Sequence, residues 1–438
     1  MIRRTISEWG RLAYGDGPNE IPQHAAQRLA AAARMSSLGG SDGSRIVTLG
    51  LREMKVGGIV GVLAAEGCVL EILPKIDGLA DTSVRQQLVH MLNIASDLPV
   101  GINQTAKFET QSESLLEILI RIFAKRVLDA VRRGMPRTYL DEENDLPALR
   151  GKLDVKRQFT VLAATPQRLA CRYSSLSPDI ALNQIVKAAV THLAPMAETQ
   201  TTKQLLAELT FVYAEITPVR PKLLRWDLVR LDRTNDVWRG ILSLAQLLLD
   251  GLFQMTTAGR QTGFGLLFEM NLLFEAYVAN TLKRSAAQQG HKIRVQGGRI
   301  HCLRDLASDK PRFQTKPDVI ICREGRNELI VDTKWKKLTA PEDANNLAVS
   351  QADIYQMMAY AHLYKASRVL LLYPHHEGLG GDERAFSHHR INGGDATVTI
   401  ASIDISRRPS FADRLQDILF RQTHTEGAVA THSACVSP

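Results

Sequence analysis

The sequence predicts a protein of mixed α/β plus α+β class. A β-rich N-terminal part covers residues 1–100, a mainly helical middle covers 101–255, and a C-terminal mixed sheet flanked by helices covers 256–421. Three observations carry this expectation. Short β-branched runs separated by glycine turns dominate the first part. Apolar residues recur at helical spacing through the middle. From Leu266 onward, helix, strands, helix and strand alternate, the order of an α/β domain.

Each element has its own signal. Thr5–Trp9 is a short strand candidate, and Pro22–Met35 is an Ala-rich helix with its proline suited to the first turn. After the turn Gly39-Gly40-Ser41-Asp42-Gly43 come strand candidates Arg45–Leu51, Gly58–Ala65 and Cys68–Pro74. Helices are expected over Thr82–Ile94, Ser114–Arg133, Ala181–Leu193, Thr202–Ile216 and Asp236–Met255. Between them Leu146–Asp179 is less regular, and two pieces of it could pair as a hairpin. The acidic run Asp141-Glu142-Glu143-Asn144-Asp145 precedes it, and a basic run (Arg220, Lys222, Arg225, Arg230, Arg233) follows. The last part reads as helix Leu266–Leu282, strands Lys292–Val295, Pro317–Cys322 and Glu328–Trp335, helix Val349–Lys365, strands Arg368–Tyr373 and Ala396–Ile405, and helix Phe411–Arg421. The small polar residues of the tail, 422–438, are expected to fray.

Composition narrows the function classes. Of 438 residues, 45% are hydrophobic and 23% charged, as in ordinary globular proteins. No run reaches the roughly 18 apolar residues of a bilayer span, so no membrane partner is expected. The opening Met1-Ile2-Arg3-Arg4-Thr5 carries no apolar block of a secretory signal. Five cysteines without a CxxC pair give neither a disulfide framework nor a zinc site, and a reducing cytoplasm is the expected location. The net charge of +8 suits a polyanion such as DNA, and equally a basic protein with no such partner. No GxxxxGK[ST] loop occurs, so the chain is expected to bind no nucleotide in the P-loop manner, and no GxSxG elbow occurs.

The chemistry concentrates in Lys316-Pro317-Asp318-Val319-Ile320-Ile321-Cys322 and Glu328-Leu329-Ile330-Val331-Asp332-Thr333-Lys334-Trp335, joined by a turn that suits a hairpin. Side chains two apart on a strand share a face, so Asp332 and Lys334 point the same way. An antiparallel pair brings Asp318, near the start of one strand, to Asp332, near the end of the next. Two carboxylates and an ammonium then meet, a donor set that suits Mg²⁺. The alternative is an ordinary hairpin with surface charges. Glu275 lies among Leu272, Val278, Ala279 and Leu282 on an apolar stripe, either partnered by a metal or by Lys334, or at the stripe's margin with its head in water. Asp353, Gln356 and Tyr360 share one helix face, where Gln356 and Tyr360 could hold a phosphate or a catalytic water.

Together, Glu275, Asp318, Asp332-Thr333-Lys334 and Gln356-Met357-Met358-Ala359-Tyr360 resemble the PD-(D/E)xK nuclease superfamily, the last element being similar to the QxxxY motif of its RecB-like branch. The wider chain resembles the McrC family, the nuclease subunit of McrBC restriction systems. That likeness also rests on Ile6-Ser7-Glu8-Trp9-Gly10, Leu70-Glu71-Ile72-Leu73-Pro74-Lys75-Ile76, Leu149-Arg150-Gly151-Lys152-Leu153 and Asn271-Leu272-Leu273-Phe274-Glu275-Ala276-Tyr277-Val278. The resemblance implies an Mg²⁺-dependent DNA endonuclease fold in the C-terminal part. Asp318, Asp332 and Glu275 would serve the metal, and Lys334 would be the catalytic lysine. It also implies a stalk docking on and stimulating an AAA+ GTPase, McrB, which recognises 5-methylcytosine in DNA. Thr333 stands where the family often has a small residue, with little mechanistic consequence expected.

Lesser signals remain open. His375-His376 and His388-His389 read as loop pairs rather than a metal site. Arg121, Lys125, Arg132 and Arg133 read as a solvated helix face, or as phosphate or partner contacts. Arg150 sits at a tip beside Gly151, where an arginine could reach a partner's nucleotide site. Two other functions compete with the first: a non-cutting activator of the GTPase, and a stand-alone RecB-like repair nuclease.

Overall fold

The computed structural model describes residues 2–36, 38–40, 42–95, 113–165, 167–233, 235–256, 264–286, 290–338, 349–407 and 410–420. Ser41, Arg421 and the tail 422–438 lie outside them. The fold is mixed, with helices and several sheets, and it divides into two compact units. One comprises Met1–Lys75 with Leu79–Leu273, the other Ile76–Gly78 with Phe274–Pro438.

The first unit runs β1 (Ile2–Ser7), β2 (Arg11–Tyr14), β3 (Glu20–Ile21), α1 (Gln23–Met35), β4 (Val47–Leu49), β5 (Glu53–Val56), β6 (Ile59–Ala65) and β7 (Cys68–Leu73). It continues with α2 (Asp81–Ala95), α3 (Leu115–Arg133), β8 (Thr138–Leu146), β9 (Lys152–Leu153), α4 (Val155–Thr160), β10 (Leu169–Ser177), α5 (Ala181–Leu193), α6 (Gln200–Val212), α7 (Val237–Thr256) and β11 (Phe264–Glu269). The strands form sheets ordered β1-β7-β6-β11, β3-β2-β5-β4 and β8-β10-β9. Helix α1 packs on β6 and β7, and its buried face, Ala25, Ala26, Leu29, Ala30 and Ala33, is mostly alanine, which allows close approach. Glu71 on β7 joins three elements: it pairs with Arg85 of α2 at 2.6 Å and accepts from Leu115 N of α3 at 2.8 Å.

Several expectations shift here. The helix expected from Leu266 begins at Met270, because Phe264–Glu269 extends as β11 and pairs with β6 from Phe264↔Ala64 to Glu269↔Ile59. An apolar run of this length fits a buried strand as well as a helix, and the open edge of β6 decides between them. The approach is close: a Cβ on Gly61 would lie 1.9 Å from Leu266 O, so only glycine fits. The acidic run belongs to β8, which begins before the stretch expected to hold the hairpin and pairs along its whole length with β10. The helix expected to reach Ile216 ends at Val212.

The second unit holds most of α8 (Met270–Ala286), then β12 (Lys292–Val295), β13 (His301–Arg304), β14 (Pro311–Gln314), β15 (Val319–Arg323), β16 (Arg326–Thr333), α9 (Gln351–Tyr364), β17 (Arg368–Pro374), β18 (Ala385–Arg390), β19 (Thr397–Ile403) and α10 (Phe411–Phe420). Six strands form one mixed sheet, β12-β15-β16-β17-β19-β18, in which β16, β17 and β19 run parallel and the others antiparallel to their neighbours. The parallel step from β16 to β17 needs a crossover, and α9 supplies it. Met357, Tyr360, Ala361 and Tyr364 of α9 pack into a core with Ile320, Ile330, Leu371, Tyr373 and Ile400. Asp332 has the parity of Ile330 and therefore opens onto this same helix-covered face. Strands β13, β14 and β18 escaped sequence reading. His388 and His389 lie on β18 rather than in a loop, and His388 Nδ1 lies 3.1 Å from Thr399 Oγ1 across the strand pair. Among the described residues no helix is long and apolar enough to cross a membrane.

Candidate functional site

The register of β15 on β16 assembles the site. Val319 pairs with Val331, which puts Asp318, one residue before β15, across from Asp332. The strand geometry continues past Thr333, with Lys334 N donating to Leu372 O at 2.9 Å, and so Lys334 shares a face with Asp332. Lys334 Nζ lies 2.7 Å from Asp332 Oδ2 and donates to Gln356 Oε1 at 3.1 Å. The other end of the Gln356 amide donates to the Tyr360 hydroxyl at 2.7 Å. One turn of α9 thus fixes which end of the amide faces the lysine. Asp353, on the same helix, stands 3.9 Å from Lys334 Nζ and 3.3 Å from Lys336 Nζ.

Two of the three carboxylates are buried and Asp318 is half-buried. Asp332 is 1% exposed and Glu275 9%. Glu275 therefore does not sit at a solvated stripe margin. Leu272, expected to share its stripe, is exposed, while Phe274, Tyr277 and Val278 are buried around it. The partner of Glu275 is Gln296, whose amide donates to Oε1 at 2.7 Å. Nothing in the sequence marked Gln296, which lies far from Glu275 along the chain. Thr333 also matters more than expected: its backbone N and its Oγ1 donate to Asp318 Oδ2 at 2.8 and 2.9 Å.

Burial, with Asp332 and Glu275 close by, pushes the Asp318 carboxyl up to about 7. Burial also raises Asp332, against the opposing pull of Lys334. For Lys334, burial alone favours the neutral amine, but Asp332, Asp353 and Asp318 together outweigh it and keep the ammonium charged. Burial pushes the Tyr360 phenol up to about 12, so it stays protonated.

Closely set acidic groups that raise one another fit a divalent cation, since a cation relieves their repulsion and hard oxygens suit Mg²⁺. Each of the three spends an oxygen on a protein group, Thr333, Lys334 or Gln296. Among the described residues no three His, Cys, Asp or Glu side chains form a ready-made cage. The fit is therefore to a cation held by one or two carboxylates with water completing its shell.

The lesser candidates separate. Arg121 is buried and paired with Glu113, so it belongs to no solvated face. Lys125, Arg132 and Arg133 are exposed. Arg150 is exposed, its guanidinium 4.1 Å from the centre of the Tyr173 ring, beside Gly151 at φ +71°. His375 and His376 lie in a loop on separate partners, Ser402 Oγ at 2.8 Å and Leu338 O at 2.7 Å.

Known proteins share this architecture. The chain superposes on a Thermococcus gammatolerans assembly of McrB AAA+ hexamers with bound McrC. The TM-score is 0.72 at 20% identity, over 95% of this chain and 99% of that one. A second T. gammatolerans McrBC complex matches with a TM-score of 0.54 at 25% identity, over 64% of this chain and 87% of that one. The Type IV methyl-directed restriction enzyme EcoKMcrBC of Escherichia coli K12 is 19% identical over 346 residues, 76% of this chain and 96% of its own length. Residues 54–374 match the McrBC 5-methylcytosine restriction system component family, and the chain belongs to that family.

Proposed function

We propose that the chain is the DNA-cutting subunit of a modification-dependent restriction system. It would hydrolyse phosphodiesters with Mg²⁺ through a PD-(D/E)xK-type site, working beside an AAA+ GTPase that it stimulates. The observation that carries this reading is the convergence of Asp318, Asp332 and Lys334 at one end of the β15–β16 pair, with Lys334 Nζ 2.7 Å from Asp332. Asp318 and Asp332 would hold the cation, with Glu275 assisting. A cation bound there neutralises charge growing on the scissile phosphate and acidifies a water.

The chain's own residues divide the remaining work. Lys334, held charged by Asp332, orients the attacking water or stabilises the negative charge of the phosphorane. Gln356 fixes the ammonium's direction, and Tyr360 fixes Gln356. Thr333 ties Asp318 to the strand that bears Asp332.

Partner docking is assigned to residues 101–255 and cutting to 256–421. The relatives support the partner: the assemblies matched are McrB AAA+ hexamers with McrC, and this sequence carries no P-loop of its own. The exposed Arg150 is the residue assigned to reach the partner's nucleotide site, and Arg150→Ala that leaves GTPase stimulation intact removes that role.

Methylated plasmid incubated with the chain and Mg²⁺, with and without a McrB-type GTPase and GTP, tests the proposal. Cutting only with the partner supports it. Cutting by the chain alone identifies a stand-alone nuclease, and stimulation of GTP hydrolysis without cutting identifies an activator.

A further inference from the structure

The segment between β12 and Asp318 forms a two-stranded arm outside the main sheet, β13 paired with β14 from His301↔Gln314 to Arg304↔Pro311. Nearly all of it faces solvent. Leu303 is 59% exposed and Phe313 74%, and no residue of β14 is covered. An isolated hairpin of this length is marginal in water, and this one is pinned at its base. Thr315 N and Oγ1 donate to Ile300 O at 2.7 and 2.6 Å. The Tyr364 hydroxyl accepts from Ile300 N at 3.2 Å and lies 2.8 Å from Thr315 Oγ1. Tyr364 stands one turn beyond Tyr360 on α9, with the two rings 6.0 Å apart edge to face. One helix thus anchors both the arm and the lysine's amide clamp, and the arm's pinned base at Thr315 lies three residues before Asp318.

Its charge is one-sided. Arg304 is neutralised by Asp309 at 2.9 Å, and Asp305 is turned onto Ser308 at 2.7 Å. Arg299, Lys310, Arg312 and Lys316 are exposed, and among the described residues none of them is in an ion pair. Among the described residues no carboxylate is paired with these four cations of the hairpin and its base, and Phe313 at φ 55° accepts backbone strain with its ring in solvent. A two-stranded ribbon fits the roughly 12 Å width of the major groove.

We propose that this arm grips the phosphate backbone of duplex DNA beside the scissile bond, through Arg299, Lys310, Arg312 and Lys316. It acts as a sequence-independent positioning device whose charges touch no reacting atom. The inference rests on the endonuclease reading above.

The test measures binding of the full chain, in EDTA, to a labelled duplex of roughly 30 base pairs at several salt concentrations. Each phosphate contact contributes about 0.9 to the slope of log affinity against log salt. Arg299→Gln, Lys310→Gln and Arg312→Gln together should weaken binding about tenfold or more at ~0.1 M salt and reduce the slope by about 2–3. Arg299→Lys with Arg312→Lys should keep the slope, because a point charge suffices. All sites are exposed, and an unchanged melting midpoint controls for folding. An unchanged slope in the triple variant overturns the inference while leaving the endonuclease reading intact, since that reading stands on cutting. Loss of GTPase-partner binding with DNA binding kept makes the arm a protein-docking element and overturns it too. No duplex binding by the wild-type chain overturns it likewise.

Discussion

Asp332 Oδ2 lies 2.7 Å from Lys334 Nζ, two residues on along the same strand face, with the carboxylate almost fully buried. The pair has two jobs in the proposed reaction: the carboxylate faces the cation, and the lysine faces the phosphate. Removing Lys334 leaves Asp332 buried without its ion pair, and removing Asp332 leaves Lys334 only the longer contact to Asp353 at 3.9 Å. Asp332→Asn and Lys334→Met should each lower cutting by about a thousandfold or more, while stimulation of the partner's GTP hydrolysis stays near the wild-type value. Parallel cleavage and GTPase assays check this, and cutting within a few-fold of wild type in either variant contradicts it.

Asp318 gives a pH signature. Its carboxyl is raised to about 7, so the folded protein holds that proton more tightly than the unfolded chain does. Its contribution to stability is complete below the ordinary carboxylate value and is lost as pH rises through about 7. Without divalent metal, the stability of Asp318→Asn relative to the wild type should rise by on the order of 2 kcal/mol between pH 5 and pH 8. Mg²⁺ should restore stability to the wild type alone. Denaturant melts in EDTA across this range measure it, and a variant-to-wild-type difference independent of pH counts against the raised carboxyl.

Gln356 separates positioning from metal binding. Its amide joins Lys334 to Tyr360 but reaches no carboxylate of the cation group. Gln356→Ala should cut about 10–100 times more slowly, with divalent-metal affinity unchanged by calorimetry. A parallel loss of metal affinity would place Gln356 in the cation site instead.

Far from the site, Glu71 tests the first unit. Its buried bond to Arg85 and its acceptance from Leu115 N tie β7 to α2 and α3. Glu71→Gln removes the carboxylate bonded to Arg85, leaving Asp81 as a weaker countercharge, and should cost roughly 3 kcal/mol by denaturant unfolding. A loss below about 1 kcal/mol would mean the surroundings hydrate Arg85 freely.

The sequence made the Asp318–Lys334 hairpin legible because strand alternation puts residues two apart on one face, and because a turn between two β-branched runs fixes the pairing. The Gln356–Tyr360 face was legible for the matching reason in a helix. What stayed hidden depends on distant partners. Glu275 meets Gln296 through tertiary packing that leaves no local trace, and Arg121 meets Glu113 just ahead of its own helix, outside the helical i to i+4 spacing. Phe264–Glu269 reads as helix until the edge of β6 claims it. The β13–β14 arm, exposed on both faces, shows none of the apolar alternation by which strands announce themselves. Thr333 seemed interchangeable because its role lies in a bond to the neighbouring strand's Asp318.

The most direct measurement is anomalous diffraction from crystals of the full chain soaked in Mn²⁺. A manganese peak within coordination distance of Asp318 and Asp332, absent in Asp332→Asn, is the predicted result. A chain that cuts DNA with manganese bound elsewhere, or bound unchanged in that variant, would contradict it.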